Sequence, residues 1–182
     1  MSFDTEELIL VNAEDHEIGY KDKGACHDGH GILHRAFSLF VFNSRGELLL
    51  QQRSKGKRLW PGYWANTCCS HPRRGETMQE ATSRRLEEEM GMRCDMRYLF
   101  KFEYQADYGD LGAEHELCSV LIGQTAAAVH ANATEVEAWR FVSVDDLDAE
   151  IADHPERFTP WLKMEWQHLR TQFNDMLPQA GT

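Results

Sequence analysis

Short apolar runs separated by polar breaks define most of the predicted strands. These runs lie at residues 8–12, 36–43, 47–52, 98–105, 116–123 and 136–142. The tripeptide Ser44-Arg45-Gly46 separates the second run from the third, which predicts a hairpin. Residues 37–42 are apolar at nearly every position. This pattern is typical of a strand that is covered on both faces.

Three helices are predicted from signals at their ends. Residues 77–80 (TMQE) have the form of a capping box, and Gly91 provides a stop signal directly after residue 90. Ser143 has the character of an N-cap for a second, short helix. Pro160 opens a last helix that is expected to run to about Phe173.

Between the hairpin and the first helix lies a polar segment without clear periodicity. It follows the turn formed by residues 60–62 (WPG) and runs to Gly75, so we predict an irregular functional loop. Strands and helices that do not alternate strictly favour an α+β or layered α/β/α fold. We interpret residues 1–182 as one domain with a flexible C-terminal tail from about residue 175.

The charge of the chain is unevenly distributed. The chain has 19 basic and 30 acidic residues and a net charge of −11, which argues against a nucleic acid or an anionic membrane as partner. Residues 53–85 nevertheless contain eight basic and only two acidic residues. This basic segment is either a solvated face or a site for a small polyanion.

The same composition predicts a cytoplasmic protein. The first ten residues contain no basic segment ahead of their apolar run, so they do not resemble a secretory signal. No apolar stretch approaches the ~18 residues that are needed to span a bilayer. The five cysteines form an odd set without a disulfide-scaffold spacing, which favours free thiols.

Histidines and glutamates supply a candidate metal site. The candidate histidines are His27, His30, His34 and His71. Glu114 and Glu116 begin a predicted strand and therefore point to the same face, with His115 on the other. Such nitrogen and carboxylate ligands suit Mn, Zn or Fe, and octahedral coordination favours Mn or Mg. The alternative is an exposed acidic strand edge.

The predicted loop also contains two adjacent cysteines, Cys68 and Cys69. Adjacent cysteines are too constrained for a comfortable disulfide, and no second pair completes a zinc ribbon. From the residues alone, either a reactive thiol or an inert buried cysteine is possible.

Residues 70–92 resemble the Nudix signature. The matching positions are Glu76, Arg84, Leu86, Glu88, Glu89, Gly91 and Met92. Two positions differ, because Ser70 replaces a glycine and Arg85 replaces a glutamate. In Nudix hydrolases the helical glutamates bind the magnesium that activates water. An arginine among them removes a metal ligand and adds a group that can hold phosphate.

Four further motifs, in the same order, resemble the type 1 isopentenyl-diphosphate isomerases. They are residues 33–37 (LHRAF), 60–72 (WPGYWANTCCSHP), 114–118 (EHELC) and 158–161 (FTPW). The resemblance covers about residues 8–166 and implies a Nudix-like mixed sheet flanked by helices. It also implies isomerisation of isopentenyl diphosphate to dimethylallyl diphosphate, by addition and removal of protons, in isoprenoid precursor biosynthesis.

The resemblance assigns roles to individual residues. The implied catalytic residues are Cys69, Glu116, Tyr104 and Trp161, and the implied diphosphate ligands are Lys23, Arg53, Lys57 and Arg85. The implied ligands for Mn²⁺ or Zn²⁺ are His27, His34, His71, Glu114 and Glu116. A Mg²⁺ ion would be held by Glu89 and the main-chain carbonyl of Cys69. The implied partner is a small diphosphate substrate, and the implied oligomeric state is a monomer.

Two other functions compete with this interpretation. A Nudix hydrolase of nucleoside diphosphate derivatives is disfavoured because Arg85 interrupts the magnesium-binding glutamates. A noncatalytic module that only binds a diphosphate would need the basic residues, but it would need neither Cys69 nor Glu116.

Overall fold

The computed structural model describes residues 6–179, which form one mixed sheet with helices on both faces. The strands in this range are β1 (Glu7–Val11), β2 (Glu17–Asp22), β3 (His34–Phe42), β4 (Leu48–Arg53), β5 (Trp64–Ala65), β6 (Cys68–Ser70), β7 (Arg97–Asp107), β8 (Ala113–Gln124) and β9 (Val136–Val142). The α-helices are α1 (Lys23–Cys26), α2 (Met78–Met90), α3 (Val144–Asp153) and α4 (Pro160–Gln172). Short 3₁₀ segments lie at Gly109–Leu111, Pro155–Arg157 and Asn174–Met176.

Strand β3 organises the sheet. It runs parallel to β8 and antiparallel to β1, β4 and β6. The outer pairs, β1 with β2, β7 with β8, and β4 with β5 and β9, are all antiparallel. In the parallel pair, His34 at the start of β3 lies opposite Glu116 of β8. The register therefore brings two predicted site residues together at one end of the central strands.

Alternating side chains of β3 supply two separate cores. Phe37 and Leu39 face one layer, where they pack with Leu86 and Met90 of α2. Phe40 and Phe42 face the other layer, which the helices α3 and α4 cover. The apolar stretch at residues 37–42 is thus a strand covered on both faces, as predicted. This arrangement confirms the layered α+β architecture.

The predicted helix ends are confirmed. Thr77 caps α2 through a complete capping box, and Gly91 ends the helix in the left-handed conformation with φ 61°. Ser143 accepts a hydrogen bond from the backbone N–H of Asp146 and so caps α3. Pro160 is the first residue of α4.

The prediction of an irregular loop from residue 62 to Gly75 was wrong for β5 and β6. Polar residues are buried there because their side chains form hydrogen bonds with backbone groups of neighbouring strands. Thr67 Oγ1 accepts from the N–H of Val41 at 2.9 Å and donates to the carbonyl of Leu49 at 2.7 Å. Asn66 Nδ2 donates to the carbonyl of Leu39 at 3.1 Å. Some polar side chains of this segment therefore form hydrogen bonds with the backbone of neighbouring strands, and polarity alone does not indicate a loop.

The C-terminal segment lies partly in the main core. Leu177 is buried against the cluster that includes Trp166 and Leu169 of α4. The last part of the predicted flexible tail, residues 180–182, lies outside the described residues. Between residues 6 and 179, no helix has both the length and the apolar character that crossing a membrane requires.

Candidate active site

A cavity of about 430 Å³ opens at the end of the sheet where β3 and β8 begin. Its wall contains every residue to which the family resemblance assigned a role in catalysis, metal binding or diphosphate binding, except His34. His34 is fully buried behind this wall, and its ring centroid lies 5.0 Å from that of His27 and 4.8 Å from that of His71. The structure therefore collects residues from distant parts of the chain in one place.

Three histidines and two glutamates form a buried cluster at the inner end of the cavity. The residues are His27, His34, His71, Glu114 and Glu116, and their candidate ligand atoms all lie within 4.8 Å of one another. His27 Nε2 lies 2.9 Å from Glu114 Oε2, and His71 Nε2 lies 2.8 Å from Glu116 Oε1. His34 Nε2 is buried without a hydrogen-bond partner among the described residues.

Backbone carbonyls orient two of these histidines. His27 Nδ1 lies 2.6 Å from the carbonyl of Lys23, and His34 Nδ1 lies 2.7 Å from the carbonyl of Ile32. If each Nδ1 carries the donated proton, each Nε2 presents a lone pair to the cluster. Such lone pairs, together with two buried carboxylates, fit a divalent cation.

The remaining candidate, His30, does not join the cluster, and neither does His115. His30 is exposed and lies 3.2 Å from Asp107, and His115 points away from Glu114 and Glu116 to contact Glu103. The predicted alternation along β8 is therefore correct.

Burial controls the protonation of the cluster. Burial lowers the pKa of His34 to about 4 and that of His71 well below its ordinary value. Burial also acts to raise the pKa of Glu114, but the neighbouring His27 overcomes this effect and lowers it to about 2. For Glu116, burial and the charge of Glu114 both raise the pKa well above the ordinary carboxyl value. Glu116 is thus the proton-bearing member of the two carboxyl groups.

A tyrosine holds the carboxyl group of Glu116 on the side away from the histidines. Tyr104 Oη donates to Glu116 Oε2 at 2.6 Å, across the β7–β8 pair in which the two residues are direct partners. Because Tyr104 is buried beside two carboxyl groups, its pKa lies well above its ordinary value. It therefore stays a hydrogen-bond donor.

The adjacent cysteines face opposite layers. Cys68 is fully buried in the core under α2, whereas Cys69 lines the cavity. The Cys69 thiol donates to Asn66 Oδ1 at 2.6 Å, and Trp161 Nε1 donates to Cys69 Sγ at 3.0 Å. Burial raises the pKa of Cys69 well above its ordinary value, so the group is a thiol. Because side chains alternate along strand β6, Cys69 points into the site and Cys68 points away from it.

Aromatic side chains close the cavity beside Cys69. The ring of Trp161 packs edge-on against Trp60 with centroids 5.2 Å apart, and Trp60 packs against Tyr108 at 5.0 Å. Trp60 has a positive φ of 48°, an unfavourable conformation that this packing holds in place. One face of Trp161 carries the guanidinium of Arg53, with Cζ 5.1 Å from the ring centroid.

The four predicted diphosphate ligands form a basic wall of the cavity and occur in two different states. Lys57 forms an ion pair with Glu135, and Arg85 forms one with Glu89 and lies 3.6 Å from Glu135. Lys23 and Arg53, by contrast, form no ion pair within residues 6–179. Arg53 donates to the carbonyl of Leu59 at 2.9 Å, and burial lowers the pKa of Lys23.

Ser70 fits its position without a glycine conformation. It lies in β6 opposite Phe37, and the non-glycine residues with positive φ in the described chain are Asp15 and Trp60. The departure from the Nudix signature at this position therefore introduces no backbone strain.

Sequence reasoning missed three buried polar residues at the site: Asn66, Glu135 and Glu165. Glu165 carried one usable signal, because it lies four residues after Trp161 and so shares its helix face. Glu135 lies just before β9 and has no local pattern that marks it as a partner of Lys57 and Arg85.

Comparison with known proteins adds independent evidence. A family model described as the NUDIX domain matches residues 32–162. Solved structures share the fold. A Deinococcus radiodurans protein has a TM-score of 0.66 at 23% identity, covering 82% of this chain and 90% of its own. A Nudix hydrolase from M. smegmatis has a TM-score of 0.57 at 16% identity, covering 96% of this chain and 98% of its own.

Curated relatives match nearly the whole chain at higher identity. An isopentenyl-diphosphate Delta-isomerase of Burkholderia multivorans is 44% identical over 176 residues, covering 97% of this chain and 93% of its own length. An isopentenyl-diphosphate Delta-isomerase 1 of Photorhabdus laumondii is 41% identical over 174 residues, covering 94% and 99%. The chain therefore belongs to the type 1 isopentenyl-diphosphate Delta-isomerases of the Nudix superfamily.

Proposed function

We infer that this chain isomerises isopentenyl diphosphate to dimethylallyl diphosphate. Two proton-bearing groups, Cys69 and Glu116, line the same cavity as four cationic side chains, and this observation carries the inference. The names of the curated relatives agree with it. Moving a double bond by one carbon needs one proton added and another removed, so two such groups are the minimum requirement.

The proton chemistry is assigned to Cys69, Glu116 and Tyr104. An alkene is a weak base, so the proton donor must be held close to it in a site without water. Glu116 keeps its proton because of burial, and Tyr104 fixes the orientation of its carboxyl group. Cys69 supplies the second proton-carrying group, and Trp161 donates a hydrogen bond to its sulfur.

The aromatic wall has two tasks in this proposal. It excludes water that would trap a tertiary carbocation, and the Trp161 ring offers electron density to that cation. The guanidinium of Arg53 lies over one face of Trp161, so the substrate is expected at the remaining free surface of the ring.

The diphosphate is assigned to Lys23, Arg53, Lys57 and Arg85. Lys23 and Arg53 have no carboxylate partner in the described chain, so they are available to phosphate oxygens without breaking an ion pair. Lys57 and Arg85 are held by Glu135 and Glu89, which fixes their positions in the basic wall of the cavity.

Two metal sites belong to the proposal. The buried histidine and glutamate cluster would hold Mn²⁺ or Zn²⁺, and Glu89 with the Cys69 carbonyl would hold Mg²⁺ beside the diphosphate. A cation bound in the cluster supplies charge that increases the acidity of a coordinated carboxylic acid. The unpartnered Nε2 of His34 supports the first site. Glu89 is also bound by Gln51 Nε2 at 2.8 Å and by Arg85, which orients its carboxylate.

We further propose that the enzyme is a one-domain cytoplasmic monomer without nucleic acid or membrane partners. The five cysteines are all free thiols, as a reducing compartment requires. The net charge of −11 disfavours polyanionic surfaces as partners.

Incubation with isopentenyl diphosphate in deuterated water tests the function directly. The protein is loaded with Mg²⁺ and either Mn²⁺ or Zn²⁺, and the products are followed by NMR. Deuterium in the dimethylallyl product is the expected result. Release of phosphate without isomerisation would indicate a hydrolase, and binding without either reaction would indicate a noncatalytic module.

A further inference from the structure

A buried carboxyl group lies behind the cavity and has no role in the reaction as described so far. Glu165 is fully buried on α4, one helical turn after Trp161. Within the described part of the chain it forms no ion pair, and its Oε2 has no hydrogen-bond partner. A buried carboxylate without a cation is strongly unfavourable, so the neutral acid is favoured. Burial raises the pKa of Glu165 to about 8, in agreement with this argument.

Two small side chains connect Glu165 to Cys69. Cys118 Sγ lies 3.5 Å from Glu165 Oε1 and 3.5 Å from Ser38 Oγ. Ser38 Oγ in turn lies 3.8 Å from Cys69 Sγ. Ser38 and Cys118 are both buried, on the central strands β3 and β8. The four residues therefore form a continuous polar path inside an apolar core.

The first donor in this path fixes the direction of the whole path. Each hydroxyl or thiol has one proton to donate. When the O–H of Glu165 donates to Cys118, the Cys118 thiol donates to Ser38, and the Ser38 hydroxyl donates to Cys69 Sγ. An ionised Glu165 would instead accept a hydrogen bond from the Cys118 thiol. Cys118 would then have no proton left to donate to Ser38.

We propose that Glu165 is a positioning residue for Cys69, because it directs the Ser38 hydroxyl toward the sulfur. The inference rests on the proposed function, in which that sulfur gains and loses a proton. With the indole N–H of Trp161 at 3.0 Å, the sulfur then has two donors aimed at it. Two preorganised donors stabilise negative charge that develops on the sulfur when its proton leaves.

A purely structural role makes a different prediction for Glu165. A methionine has a similar length and needs no polar partner, so Glu165→Met should leave the core intact or stabilise it. The positioning role instead predicts a slower enzyme of equal or greater stability. Glu165→Gln separates the two cases further, because its amide can still donate a hydrogen bond to Cys118.

Steady-state kinetics and melting temperatures of these two variants test the proposal. We expect Glu165→Met to lower kcat about tenfold, the usual effect of losing one hydrogen bond to a charged group, without a change in KM. Glu165→Gln should keep kcat within about threefold of the parent. Leu169→Met, at another buried position of α4, is the matched control and should behave like the parent. A Glu165→Met enzyme with the kcat of the parent overturns the proposal.

A double-mutant cycle with Ser38→Ala provides a second, independent test. Since Glu165 acts through Ser38, the double variant should be no slower than the slower single variant. Losses that multiply would show that the two residues act separately, and they overturn the proposal. A parent chain that leaves isopentenyl diphosphate unchanged overturns the proposed function and this role with it, whereas an active parent with an unaffected Glu165→Met variant overturns the role alone.

Discussion

The inner end and the basic wall of the cavity handle buried charge in different ways. At the inner end, three histidines and two glutamates meet without a lysine or arginine among them. In the basic wall, Lys57 and Arg85 are already paired with Glu135 and Glu89. Under the proposed function, the inner end binds an added metal cation, whereas Lys23 and Arg53 bind the diphosphate anion. Charge pairing would then separate the proton chemistry from substrate binding.

The largest effect is expected at the inner end. Glu116→Gln removes a proton donor or acceptor, so we expect kcat to fall by about 10³-fold or more, within the range for general acid–base catalysis. Glu103→Gln, an exposed glutamate on the neighbouring strand β7, is the matched control. Turnover is measured from the dimethylallyl product. A Glu116→Gln enzyme with turnover close to that of the control would remove Glu116 from the mechanism.

A change in the basic wall should mainly affect substrate binding. Lys23→Met removes a cation without a carboxylate partner, so KM is expected to rise about 10- to 100-fold, as for loss of one charge-assisted hydrogen bond. The value of kcat should change much less. Lys55→Met is the control, since Lys55 is exposed and its ion pair among the described residues is with Glu137. A fall in kcat at constant KM would mean that Lys23 takes part in the chemistry.

Metal addition should stabilise the protein through the inner end. At a concentration of ~100 times its Kd, a bound cation contributes about 2.7 kcal/mol. For a chain of this size that corresponds to a rise in Tm of about 5–10 °C over the chelator-treated protein. His34→Ala should abolish the rise produced by Mn²⁺ or Zn²⁺, whereas the exposed-site control His30→Ala should preserve it. An unchanged rise in His34→Ala would contradict the proposed ligand set.

The smallest effect concerns the pH dependence of stability. The folded-state pKa of Glu165 is about 8, above the ordinary carboxyl value of the unfolded chain. Between these two values the unfolded state releases the proton first, so Glu165 lowers stability as the pH rises. The stability of Glu165→Gln relative to the parent should therefore increase by about 2 kcal/mol from pH 5.5 to pH 7.0. Denaturant titrations at both pH values measure this gain, and a constant difference would show that Glu165 is already ionised.

The parts of the fold that follow local rules could be predicted from the sequence. The capping box at Thr77 and the stop at Gly91 define α2, because both depend on neighbouring residues. The alternation of Glu114, His115 and Glu116 could also be predicted, since it depends only on strand geometry.

Long-range pairing explains what could not be predicted. The two-residue strand β5 and the strand β6 are defined by their partners on β4 and β3, not by their own polar sequence. The strand β2 has an exposed pattern at every position but one, so it carries no hydrophobic signal. Glu135 acquires its role from contacts with Lys57, which is 78 positions away in the chain.

Titration of isopentenyl diphosphate into the metal-loaded Cys69→Ala protein tests the separation of chemistry from binding most directly. Calorimetry gives the affinity, and a parallel assay gives the turnover. We predict binding within about threefold of the parent together with a loss of turnover of about 10²-fold or more, because in the proposed function the thiol carries a proton and does not hold the diphosphate. Loss of affinity as large as the loss of turnover would contradict it.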